Sequence, residues 1–120
     1  MTIKTEKYSS RKKPATSVSG MLEDVVGCKW SLSVLALVRD GVARPGAMQR
    51  AVEGLSTKVL NERLRKLQRF GIIEKTVFPV TPPHVEYRLT VFGRRFSRLL
   101  DEVNALQTEI TEKPPRLRSS

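Results

Sequence analysis

The chain is expected to adopt a mainly α fold with a small β-hairpin (the α+β class), and three observations predict it. Leu60, Leu64 and Leu67 recur at helical spacing behind a Ser56-Thr57 start that can cap a helix. Two runs rich in β-branched and aromatic residues, 72–78 and 85–89, flank Pro79-Val80-Thr81-Pro82-Pro83, whose prolines cannot donate to a ladder. Phe92, Phe96, Leu99, Val103, Leu106 and Ile110 then repeat at spacings of four, three, four, three and four, the pattern of a helix with one apolar seam.

In order along the chain, residues 1–17 carry Lys4, Lys7, Arg11, Lys12 and Lys13 among Ser and Thr and are expected to form a flexible basic arm. The folded domain is placed at 18–111, followed by a disordered tail at 112–120. A short helix over 19–26 would present Met21, Leu22, Val25 and Val26 on one side and end at Gly27. A second helix over 29–39 has little polar surface and is expected to be the central core helix, packed about Trp30. Asp40-Gly41 closes it, and 42–44 is long enough only for a strand fragment. Pro45 suits the first turn of a third helix reaching about Val52, because its missing N–H needs no partner there. The fourth helix starts at Ser56 or Thr57 and stops at Gly71, the hairpin follows, and Thr90 caps a last helix from Val91 to about Ile110.

With 120 residues and 39% apolar content the chain can build one real core, which excludes a large two-domain enzyme. Lys and Arg outnumber Asp and Glu by 22 to 12, giving a net charge of +10 and favouring a polyanionic partner, nucleic acid first. The longest apolar run, Val34 to Val38, is far below the ~20 residues of a membrane span, so no membrane association is expected. Lacking an apolar stretch near the start for a secretory signal, the chain is expected in the cytoplasm, associated with the nucleoid. Cys28 is the one cysteine, which rules out an internal disulfide and leaves a cysteine zinc site without partners; no metal or cofactor is expected.

On the fourth helix, Ser56, Thr57, Lys58, Asn61, Glu62 and Arg65 fall away from the leucine stripe, with Lys66 and Arg69 further along. Asn and Arg can bridge base edges, and Ser, Thr and Lys can satisfy phosphates or bases, so this face is suited to a DNA major groove. Taken alone it would also fit an ordinary solvated helix face; the hairpin behind it and the three helices before it favour DNA. His84, where the loop rejoins the second strand, reads either as a lone surface histidine or, with Arg88 or Lys75, as a contact to phosphate or a narrow minor groove. Cys28, beside Lys29 at the expected start of the second helix, reads either as a filler of a small space behind Trp30 or as a redox group favoured as thiolate. The seam of Phe96, Leu99, Val103, Leu106 and Ile110, with Met21 and Leu22, points to a homodimer whose two-fold axis implies a palindromic operator. Catalytic patterns are absent, since the lone histidine and cysteine are distant and no glycine-rich phosphate loop occurs.

Over about 19–106 the chain resembles the HxlR-type winged helix-turn-helix transcriptional regulators, relatives in fold of the MarR type. The matching residues are 24–30 (Asp-Val-Val-Gly-Cys-Lys-Trp), 60–67 (Leu-Asn-Glu-Arg-Leu-Arg-Lys-Leu), Gly71-Ile72-Ile73, and the long string from Val77 through Pro82-Pro83-His84-Val85-Glu86-Tyr87-Arg88-Leu89-Thr90 to Gly93. The resemblance implies a homodimeric DNA-binding repressor or activator with N- and C-terminal dimerisation helices. The recognition helix would be about 56–70, with Ser56, Thr57, Lys58, Asn61 and Arg65 reading the major groove, and the wing about 78–85 would meet the adjacent minor groove. His84 stands where the family commonly has arginine, which implies a weaker minor-groove contact. Ser17-Val18 stands in place of the Cys-Pro pair through which many members look thiol-regulated, Cys28 replaces the second glycine of a Gly-Gly-Lys-Trp motif, and Pro45 replaces an aromatic residue after Arg44. Two other classes fit the same composition: a sequence-independent architectural DNA-binding protein, and a module whose face serves a protein partner. A small-molecule effector near the dimer contact is left open.

Overall fold

The computed structural model describes residues 17–112, so the expected arm apart from Ser17 and the expected tail apart from Glu112 lie outside the described residues. The elements run α1 (Val18–Gly27), α2 (Ser31–Arg39), α3 (Pro45–Ala51), α4 (Thr57–Arg69), β1 (Ile73–Phe78), β2 (His84–Leu89) and α5 (Val91–Glu112). This is the expected mainly α arrangement with one antiparallel hairpin.

Each boundary has a local cause. Ser17 caps α1 by accepting from the Gly20 amide at 3.0 Å, and Ser56 caps α4 by accepting from the Val59 amide at 3.1 Å. Pro45 occupies the first turn of α3. At the far end of α4 the chain turns through Gly71 at φ 79°, a conformation that a side chain would strain. The second helix begins at Ser31 rather than 29, because residues 28–30 are spent on a turn in which the Ser31 amide donates to the Cys28 carbonyl at 3.3 Å.

The core gathers Val25 from α1, Val34, Leu35 and Val38 from α2, Met48 from α3, Leu60, Leu64 and Leu67 from α4, and Ile72 and Ile73 at the hairpin base. Its centre is α2 packed on α4. Trp30, expected at that centre, is instead only partly buried and packs at the core's edge over Gly54. A residue at a helix cap projects from the end of the element, so it cannot be surrounded by it.

The ladder pairs Ile73 with Leu89 through Phe78 with His84, one to one. Residues 42–44 form no strand, but the Tyr87 amide donates to the Ala43 carbonyl at 2.8 Å, holding the α2–α3 loop along the outer edge of β2. Thr90 joins hairpin to helix: its amide donates to the Ile72 carbonyl at 3.1 Å while its hydroxyl accepts from the Gly93 amide at 2.8 Å. Behind it α5 lies so close to the hairpin base that a Cβ on Gly93 would penetrate the Ile72 carbonyl oxygen. Replacing Gly93→Ala is therefore expected to lower stability by at least about 2–3 kcal/mol, as for overpacking against immovable backbone, with a melting temperature roughly 8 °C or more below that of the parent in calorimetry.

Candidate nucleic-acid interface

The α3–turn–α4 unit presents α4 on the outside of the molecule. Because its three leucines face the core, Lys58, Asn61, Arg65 and Arg69 emerge together on the opposite side, all exposed. Lys58 stands 3.9 Å from Glu62, an open pair at one-turn spacing that leaves both groups free to exchange partners. Ser56 uses its hydroxyl oxygen as a cap, and its hydroxyl proton is left for an outside acceptor.

Two of the expected residues have duties inside the protein. Thr57 is tied to Gln49 of α3, whose amide donates to Thr57 Oγ1 at 3.0 Å and to the Leu55 carbonyl at 3.3 Å. Gln49 thus locks the angle of the turn, a role invisible without knowing that α3 faces the start of α4. Lys66 turns back to α1, its Nζ 3.0 Å from Asp24 Oδ1.

The wing is organised by Glu86, which the sequence reading passed over. Its carboxylate accepts from Arg88 at 2.7 Å and lies 3.6 Å from Arg44 and 3.5 Å from His84. Burial pushes this carboxyl up, but the Arg88 hydrogen bond and the charges of Arg88, Arg44 and His84 hold it below its ordinary value. His84 stacks on Phe78 with ring centroids 4.8 Å apart, and its Nε2 is 3.2 Å from Arg44 Nη2. Since Arg44 can only donate, that contact needs a bare Nε2, whereas bonding to Glu86 needs a proton there, so His84 makes one or the other. His84 and Arg88 therefore come together with Arg44 around Glu86 on one face of β2. Tyr87, alternating with them, is buried on the other side; burial raises its phenol, partly opposed by the Arg65 charge.

Cys28 is not at the start of α2. It is the C-cap of α1, half-buried, with its thiol donating to Asp24 Oδ1 at 3.3 Å, and Lys29 reaches over the Trp30 ring instead, 5.1 Å from its centroid. The expected support for a thiolate from a helix N-terminus is therefore withdrawn.

The seam divides. Met21 and Phe96 are 9% and 3% exposed, part of the protomer's own core, and Leu22 packs against that core, so Met21 and Phe96 keep little surface for a second copy. Leu99, Leu106 and Ile110 remain exposed and Val103 partly so. With Val18 and Phe92, Leu99 walls an open groove of about 460 Å³ floored by Phe96. Val18 escaped the sequence reading because it was placed outside the first helix.

A short helical pair with a cationic outward helix, followed by a two-stranded flap, defines a winged helix-turn-helix regulator. Residues 25–114 match the family model described as HxlR-like helix-turn-helix, and the chain belongs to that family of transcriptional regulators, which are not enzymes. It is 40% identical over 90 residues to the uncharacterized HTH-type transcriptional regulator sll1512 of Synechocystis, covering 75% of this chain and 67% of that protein. Among solved structures it is similar to a MarR-family regulator of Enterococcus faecalis (TM-score 0.72, 26% identity, 91% of this chain and 99% of that one). It is also similar to the reduced form of the transcriptional regulator YodB of Bacillus subtilis (TM-score 0.67, 27% identity, 79% and 92%).

Asp24 joins Cys28 on α1 to Lys66 on α4. Burial pushes its carboxyl up, but the Lys66 and Cys28 hydrogen bonds and the Lys66 and Arg63 charges leave it below its ordinary value. A lowered folded pKa gives stability that is complete above the unfolded carboxylate value of about 3.9 and is lost as pH falls through the folded one. Asp24→Asn is expected to cost about 0.5–1 kcal/mol at neutral pH in denaturant titrations, with the gap to the parent closing in acid; a gap that persisted in acid would mean that charge is not its cause.

Proposed function

We propose that the chain regulates transcription as a homodimer that binds double-stranded DNA at a palindromic operator, with α4 in the major groove and the hairpin against the adjacent minor groove. The observation that carries this reading is the outward face of α4, where Asn61 and Arg65, side chains able to bridge base edges, stand exposed with no hydrogen bond or ion pair to other described residues. Dimerisation is supported by the groove of Val18, Phe92 and Leu99, rimmed by Arg95, Arg98 and Glu102 as an apolar floor with a polar margin, and by the exposed Leu106 and Ile110 further along α5. Two-fold symmetry would bring two α4 helices about 34–36 Å apart, one turn of duplex. Such a role places the protein on the nucleoid, in the cytoplasm.

Asn61→Ala or Arg65→Ala is expected to weaken binding to the selected operator by about 1–3 kcal/mol, with a smaller loss on unrelated duplexes, measured by fluorescence anisotropy at fixed salt. Equal losses on every duplex would indicate the sequence-independent architectural mode instead. For the assembly, Leu106→Glu should convert the sedimenting dimer to a monomer without changing the helical content; a variant that still sediments as a dimer moves the contact off α5.

Redox control is proposed to act through the same carboxylate that holds Lys66. Peroxide converts the Cys28 thiol to a sulfenic acid and releases water; the added oxygen lengthens the group that faces Asp24 Oδ1 and crowds the carboxylate that holds Lys66. Peroxide should then reduce operator affinity of the parent and leave Cys28→Ser unaffected; a parent whose modified sulfur is seen by mass spectrometry but whose binding is unchanged would retire this link.

A further inference from the structure

Along the outer edge of β2, where the Tyr87 amide meets the Ala43 carbonyl, a cleft of about 680 Å³ opens between the end of α2, the α2–α3 loop, the strand and the first turn of α5. Arg39, Arg44, Arg88 and Arg94 are among the residues that line it, together with Glu86. Arg39 is already answered by Asp101 in a two-pronged pair at 2.8 and 3.0 Å. Glu86 alone serves both Arg88 and Arg44, at 2.7 and 3.6 Å. Among the described residues Arg94 enters no ion pair, nor does Glu74, which faces Arg88 across the ladder.

The cleft therefore holds more positive than negative charge in a concave space, on side chains rooted in separate elements. The Tyr87 amide bonded to the Ala43 carbonyl and the Arg39–Asp101 pair between α2 and α5 fix those elements relative to one another. Guanidinium forks fixed in this way suit a tetrahedral oxyanion, which each can meet with two parallel hydrogen bonds. Walls supplied by Val38 and Leu89 reduce the competition from water.

We propose that this cleft binds one phosphate group, separately from the base contacts of α4. The group has two sources: a phosphodiester of the duplex, since Arg44 reaches both the cleft and His84 on the wing, or a free phosphate-bearing small molecule. Only the first source rests on the DNA reading above.

The test uses inorganic phosphate titrated into the full-length, DNA-free protein, against chloride at matched ionic strength. Saturable NMR shifts of the Ala43, Arg88 and Arg94 amides are expected, weakened roughly tenfold by Arg94→Gln, the loss of one charge-assisted hydrogen bond. Arg44→Gln gives the same weakening if Arg94→Gln fails to fold, and Arg50→Gln on α3, outside the cleft, gives none. Shifts that do not saturate, or equal weakening by Arg50→Gln, overturn the proposal. With operator present, a phosphodiester in the cleft makes Arg94→Gln lower the salt slope of binding by about 1. A free ligand instead leaves that slope alone and makes the parent's operator affinity respond to phosphate. If the parent binds no duplex at all, the DNA reading fails, while the phosphate titration still decides the cleft.

Discussion

The burial of Leu60, Leu64 and Leu67 against α2 is the constraint on which the interface depends. Each such side chain contributes about 1.5–3 kcal/mol on leaving water, and all of that is lost if α4 turns on its axis. Rolling the helix by one residue would expose a leucine and press a lysine or arginine into the core, so the outward position of Lys58, Asn61 and Arg65 follows from what faces inward. The Ser56 cap and the left-handed Gly71 set the length of the rod, and the Gln49 contacts set the angle at which it leaves the turn. The Lys66–Asp24 pair adds little energy at its half-exposed position, but it fixes the edge of α4 against α1.

A second constraint couples the hairpin to α5. Thr90 uses both its amide and its hydroxyl at the point where α4, β1 and α5 converge, and Gly93 lets the last helix touch the Ile72 carbonyl. There is no slack segment between wing and terminal helix. A change of angle along the exposed seam of α5 would therefore move the wing as a rigid continuation, which is the geometry needed if the spacing of two α4 helices is to depend on the dimer contact.

Local chemistry was legible in the sequence wherever one element decides it alone. Period, capping residue and terminating glycine gave α3, α4, the hairpin and α5 to within a residue or two, and the Pro82-Pro83-His84-Val85-Glu86-Tyr87 string pointed to the family. Features made by two distant segments were not legible. Glu86 reads as one more polar strand residue until Arg44, forty-two positions earlier, is brought beside it by the bond from Tyr87 to Ala43. Phe96 fits a seam that looks continuous in one dimension, yet the start of that helix leans on the body while its end does not, so one repeat serves two environments. Cys28 was misplaced by a turn of three residues that no periodicity reveals, and this moved it from the positive end of one helix to the negative end of another.

The few acidic groups determine where the positive charge is available. Asp24 takes Lys66, Asp101 takes Arg39, and Glu86 takes Arg88 and part of Arg44, so the basic excess is held in fixed positions rather than spread over mobile side chains. Among the described residues the arginines outside any ion pair include Arg65 and Arg69 on the outer face of α4, Arg94 at the β2 cleft, and Arg95 and Arg98 beside the α5 groove. Side chains already fixed by a carboxylate lose less freedom when they meet a phosphate, so the pairing that lowers their charge also lowers the entropic cost of binding. The same pairing limits range: an arginine half-neutralised by Glu86 steers weakly over a Debye length and acts mainly at contact. In the proposed complex, long-range attraction would come from the exposed cations outside any ion pair, those of α4 among them, and positional selectivity from the clamped groups, a division of labour set by where the acids sit.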